Sequence, residues 1–172
     1  TGHRPPATGH RPPAIRPSGH LSGNGWRMNP MENHQSPDIA AALIRQAEGG
    51  ADAVQIAAAI TSTWRDVDAA LSPILGHRGV ASLYKRSLHI TSAAHPWLAG
   101  THDGLPTVMD LAPLQAALSH QSSVDAATSG GALLHTFHEL LASLVGRSLT
   151  EQLLHSVWAD AASRAPAQEI SP

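Results

Sequence analysis

The chain has 172 residues, no cysteine, twelve histidines and a formal net charge of −2. Its length points to one domain, and the lack of cysteine excludes disulfides, thiolate metal sites and thiol nucleophiles. The longest apolar run, 56–60, is far short of the roughly 20 residues that span a membrane, and the first residues do not read as a signal peptide. The expected setting is the cytoplasm, without membrane contact.

Residues 1–14 are a tandem repeat, Thr-Gly-His-Arg-Pro-Pro-Ala twice, and residues 1–30 hold Arg4, Arg11, Arg16 and Arg27 with no acid. Proline, glycine and histidine in that proportion cannot build a core, so 1–35 is expected to be a disordered arm. It reads either as sequence upstream of a natural start at Met28 or Met31, or as a flexible basic tether. The rest of the chain has seven Lys or Arg against all thirteen acids. That acidic body argues against a nucleic-acid platform, which would need a basic face.

Folded structure is expected from 36 to 163. Ser36 is an N-cap candidate with Pro37 and Asp38 behind it; Ile39, Ala40, Leu43, Ile44 and Ala47 mark one face, and Gly49-Gly50 closes the helix. A second helix is predicted over 51–71, with Val54, Ala57, Ile60 or Thr61, Trp64, Val67 and Leu71 inward. Ser72-Pro73 should break or kink it. A third helix fits 77–92. After a turn-rich connection through His95-Pro96-Trp97, Gly100 and Asp103-Gly104, Asp110 can cap a short fourth helix with Leu111, Leu114 and Leu118 inward.

The fifth helix, about 124–145, carries Leu133, Leu134, Phe137, Leu140, Leu141 and Leu144. Gly130-Gly131 is expected to loosen its start by about 1 kcal/mol per glycine, and Gly146 to end it. Ser148 and Glu151 read as a capping box for a sixth helix that buries Leu149, Leu153, Leu154, Val157, Trp158 and Ala161. The tail 164–172 should fray. With no sustained alternation, the expected fold is an all-α, single-domain bundle of five or six helices, with Trp64, Trp97 and Trp158 supplying bulk to its core.

Several chemistries are absent. The only lysine, Lys85, follows Leu83-Tyr84 and not a glycine-rich loop, so there is no phosphate-cradling P-loop. Gly23-Asn24-Gly25 is not a dinucleotide fingerprint, and no G-x-S-x-G elbow or calcium loop occurs. Asp66 and Asp68 are two apart on a helix and point away from each other. Enzyme is therefore the weaker reading, and no cofactor is expected.

Three constellations remain. Between Asp68 and Asp103 the chain has no acid but holds His77, Arg78, Lys85, Arg86 and His89. Arg78, Ser82, Lys85 and His89 share one helical face, with Val80, Leu83, Tyr84 and Leu88 left for the core. Such a face suits an acidic protein partner or an anionic ligand, the bland reading being a solvated helix surface. The second lies at His135-Thr136-Phe137-His138-Glu139. His135 and Glu139, joined by His155 or His120, would form a metal site, or the surplus histidines a haem site. Phe137-His138-Glu139-Leu140 also resembles the phosphoacceptor helix of dimeric histidine kinases over four residues. The resemblance implies His138 as acceptor in a phosphorelay. It departs where Leu141-Ala142-Ser143 replaces Arg-Thr-Pro, and the lysine and glycine of a stand-alone phosphotransfer domain do not follow. The third, His95 to Pro106, is expected to pack Trp97 on the bundle end.

The expected function is a small non-enzymatic binding or signalling module, an adaptor that uses Arg78, Ser82, Lys85, Arg86 and His89. A homodimer is compatible with the alanine-rich faces. The alternatives are metal or haem binding and phosphoacceptance.

Overall fold

The computed structural model describes residues 2–3, 35–102 and 108–164, the side chains of 35–38 and His102 excepted. The chain divides into two units, Thr1–Glu32 and Asn33–Pro172; the second carries all the helices described here. Of the expected arm, residues 1 and 4–34 lie outside the described residues, as do Asp103, Gly104 and the tail beyond Arg164, while Gln35, assigned to the arm, opens the first helix.

The described residues are mostly helical, with no strand among them: α1 (Gln35–Glu48), α2 (Ala53–Thr91), a 3₁₀ segment (Pro96–His102), α3 (Ala112–Ser119), α4 (Ser123–Val145) and α5 (Arg147–Arg164). None of these helices is long and apolar enough to cross a membrane. The all-α bundle expected from the helical spacing is thus present. Ser36 falls inside α1 and not at its cap. Gly50, at φ 98°, turns the chain out of α1. Asp52 then starts α2 with a reciprocal cap: its carboxylate accepts from the Gln55 amide at 2.8 Å while Gln55 Oε1 accepts from the Asp52 amide. Two orphan donors of the first turn are satisfied this way.

The second and third expected helices form one element with a sharp corner. Pro73 stays within the helical run, and the break falls three residues later at Gly76, whose φ 73° and ψ 155° are non-helical. A residue with a Cβ rarely adopts that φ. The corner reverses the chain. The Trp64 and Tyr84 ring centroids lie 4.8 Å apart, whereas twenty residues of straight helix would separate them by roughly 30 Å. Residues 53–75 and 77–91 are therefore two limbs of a helical hairpin.

α4 is the central helix, and α1 and α2 both pack extensively on it. Gly130-Gly131 explains how. A Cβ on Gly130 would stand 2.1 Å from Ile60 Cδ1, and one on Gly131 would stand 2.7 Å from the Ala40 Cβ and 3.0 Å from its Cα. These glycines permit close approach of two helices, and loosening the start of α4 is not their role. Phe137 meets the Trp64 indole edge-on at 5.0 Å, so an aromatic group from both limbs and α4 fills the core. Trp64, Phe137, Leu71, Leu88, Leu114, Leu118, Leu133 and Leu141 are fully buried, each contributing roughly 1.5–3 kcal/mol or more.

At the remaining helix starts, Asp110 accepts from the Ala112 amide at 3.0 Å and Ser122 from the Asp125 amide at 3.1 Å. α5 begins at Arg147, directly after Gly146. Ser148 therefore sits inside α5, and the expected capping box is replaced by the glycine turn. Leu144, Leu149 and Val54 were expected inward but are exposed, Leu144 at 67 %. Each belongs to a terminal turn that overhangs the core. Arg164, expected to fray, donates to Asp66 and to Ser62 Oγ, tying the end of α5 to the first limb of α2. Trp97 is partly buried against the core, with the His95 ring 6.4 Å away.

Candidate functional site

The second limb of α2 separates its residues as its spacing predicts. Val80, Leu83, Tyr84 and Leu88 are buried, while Arg78, Ser82, Lys85, Arg86 and His89 are all exposed. Burial, and then the charge of Asp110, push the Tyr84 hydroxyl upward from its ordinary pKa, so it stays protonated and serves packing. Ser82 donates its hydroxyl to the Arg78 carbonyl at 2.8 Å. Among the described residues, no carboxylate lies within ion-pair distance of Arg78, Lys85 or Arg86. Arg147 and Arg164, by contrast, reach Glu139 and Asp66. From Arg78 to His89 the face runs about 16 Å at the rise of an α-helix.

The histidines of α4 are placed differently. His138 is buried, its ring 6.4 Å from the Trp158 indole. Its Nδ1 lies 3.5 Å from Glu139 Oε1, an ion-pair distance, and makes no hydrogen bond. Burial holds the imidazole below its ordinary pKa. Glu139 pulls upward in opposition, and Arg147 and His135 push further down. A phosphoacceptor must offer a ring nitrogen to a donor in another molecule, and here Nδ1 is fully buried. The four-residue resemblance specified a residue order, and packing near Trp158 leaves His138 far less accessible than the exposed His135 on the same helix.

The metal reading also meets the geometry. His135, Glu139 and His155 do not come together, and among the described residues no group of three or more His, Asp or Glu side chains is placed to hold a metal ion. Glu139 instead faces His138 on one side and Arg147, at 3.7 Å, on the other.

One cluster escaped sequence reasoning. At the Gly76 corner, Ser72 donates to Asp68 Oδ1 at 2.7 Å, and Ser72 Oγ lies 2.9 Å from His77 Nδ1. His77 Nδ1 is also 3.5 Å from Asp68 Oδ2. The sequence showed Asp68 and Ser72 one helical turn apart, but a straight helix would carry His77 around to another face. Only the corner brings it back. Asp66, two residues before Asp68, turns to Arg164, so the two carboxylates do point apart as their spacing implies.

Comparison with known protein families, with curated proteins and with solved structures returned no match, and the functional reading rests on the chemistry of the chain itself.

Proposed function

We propose that the protein is a non-enzymatic binding module whose second α2 limb docks an acidic surface of a protein partner through Arg78, Lys85, Arg86 and His89. The observation that carries this reading is a row of exposed cations, with Arg78, Lys85 and Arg86 unpaired by any described carboxylate, on a helix anchored by four buried side chains. Length favours a protein over a small anion, because a single phosphate cannot bridge the about 16 Å from Arg78 to His89. Ser82, between them, offers lone pairs to a donor on the partner, since its own proton is held by the helix. A partner with spaced carboxylates would be steered to this face and oriented by it.

The test is a titration against poly-L-glutamate at low and at physiological ionic strength. Wild-type protein, despite its net negative charge, is expected to bind, with affinity falling as salt rises. Arg78→Glu combined with Lys85→Glu should abolish binding while leaving the helical circular dichroism unchanged. Unaltered binding by that double variant overturns the reading, because the basic arm would then be the attractor.

A further inference from the structure

We propose that Nε2 of His77 is a phosphoryl acceptor, charged by an acyl phosphate on the acidic partner, and that Asp68 and Ser72 hold its ring in the reactive tautomer. A serine hydroxyl has one proton, and that of Ser72 goes to Asp68 Oδ1. The 2.9 Å contact between Ser72 Oγ and His77 Nδ1 must therefore use a proton carried by Nδ1. In the neutral ring this leaves the lone pair on Nε2, on the side away from Ser72. The His77 side chain is 71 % exposed, so that lone pair is available to another molecule. A carboxylate acting on the far nitrogen to fix tautomer and orientation is the same device that prepares catalytic and metal-binding imidazoles.

The surroundings select the reaction class. An imidazole this exposed has no walls to hold a small substrate, and among the described residues no third ligand completes a metal site. What remains is attack on an electrophile delivered by a docked surface. Arg78, the next residue, is exposed and opens the cationic face, placing positive charge beside the site where a phosphoryl group would arrive. In the step, the Nε2 lone pair forms a bond to phosphorus and the bond from phosphorus to the acyl oxygen breaks. The donor carboxylate leaves with that electron pair. The Nδ1 proton stays on the ring, and the resulting cationic phosphoimidazole is stabilised by its hydrogen bond to Ser72 and by the Asp68 charge.

Delivery by a docked partner rests on the function proposed above, but the acceptor chemistry does not, and it is tested without any partner. The full chain is incubated with phosphoramidate, which transfers its phosphoryl group to imidazole and releases ammonia. Label is then mapped by peptide and by ³¹P NMR. The expected result is acid-labile phosphate on Nε2 of His77, formed at least about tenfold faster than on the exposed His120 and His155, with Asp68→Asn and Ser72→Ala each removing that advantage. His77→Gln should abolish the fast phase. Equal rates at all exposed histidines, label on Nδ1, or Asp68→Asn and Ser72→Ala variants that react like wild type would overturn the proposal. Any of these leaves the poly-glutamate result standing, so the two readings fail separately.

Discussion

His138 and His77 each lie 3.5 Å from a carboxylate oxygen through Nδ1, yet their side chains are 6 % and 71 % exposed. His138 sits in the seam between α4 and α5, covered by Trp158, and its carboxylate neighbour fails to reach hydrogen-bond geometry. Desolvation dominates there and disfavours the charged ring. His77 sits at the α2 corner, where a serine bridges the gap to the carboxylate and the far edge of the ring is open to solvent. A carboxylate beside a histidine therefore says little by itself. Burial and the bridging group decide whether the pair is packing or chemistry.

The largest effect expected comes from uncovering the first of these regions. Trp158→Ala removes a nearly fully buried indole and should cost about 3–5 kcal/mol in chemical denaturation. The value should fall toward the lower end, because the indole N–H has no partner to lose. In the variant that remains folded, His138 should gain reactivity toward diethyl pyrocarbonate. If it does not, Trp158 is not the cover and the contrast with His77 has another origin.

Next in size is Gly131→Ala, which tests whether α4 needs its glycines to receive α1. Alanine gains about 1 kcal/mol in helix propensity, but its Cβ would stand 2.7 and 3.0 Å from Ala40, at a cost of about 1–3 kcal/mol for the forced shift. A net loss of up to about 2 kcal/mol in urea denaturation is expected. Net stabilisation would mean that α1 yields freely and that the packed side of α4 is less tight than its geometry implies.

How much of this was legible beforehand depended on how far each feature reaches along the chain. The helices, the buried Val80, Leu83, Tyr84 and Leu88, and the outward cations follow from three- and four-residue spacing, which a local pattern states directly. The glycine pair of α4 was misread because its purpose lies in contacts with Ile60 and Ala40, some seventy and ninety residues away in sequence. The corner was assigned to Pro73 because proline is the stronger local breaker. The chain tolerates Pro73 within the helix and turns at Gly76, where a positive φ is available. That shift of three residues decided the functional reading, since it folds His77 back onto Ser72 and Asp68. His138 shows the converse: its residue order gave no sign that a tryptophan twenty residues further on would pack beside it and help bury it.

A pH series sharpens the same contrast. The native His138 binds its proton less readily than an unfolded histidine, whose ordinary pKa is near 6.5. Below that value the unfolded chain takes up a proton that the native ring resists, so this residue's contribution to stability is complete above pH 6.5 and is lost as pH falls through 6.5 toward the lower native pKa. His138→Gln should flatten that part of the stability profile between pH 7 and pH 5, measured by urea midpoints. A profile that keeps its wild-type slope would place the acid sensitivity elsewhere.

The smallest stability effect is expected at the corner, and its smallness is informative. The Asp68–His77 contact is solvent-facing, and exposed pairs of this kind are worth about 0–1 kcal/mol. Asp68→Asn and Ser72→Ala should each move the denaturation midpoint by an amount corresponding to no more than about 0.5 kcal/mol, since the reversal itself is fixed by Gly76 and by the Trp64–Tyr84 contact beneath it. If the Asp68–Ser72–His77 chain were a structural clasp for the hairpin, the same substitutions would loosen the second limb and raise amide exchange along 77–91. Near-silent stability together with a lost fast phosphorylation phase separates a positioned acceptor from a clasp, because a clasp would show its effect in exchange before it showed any in reactivity.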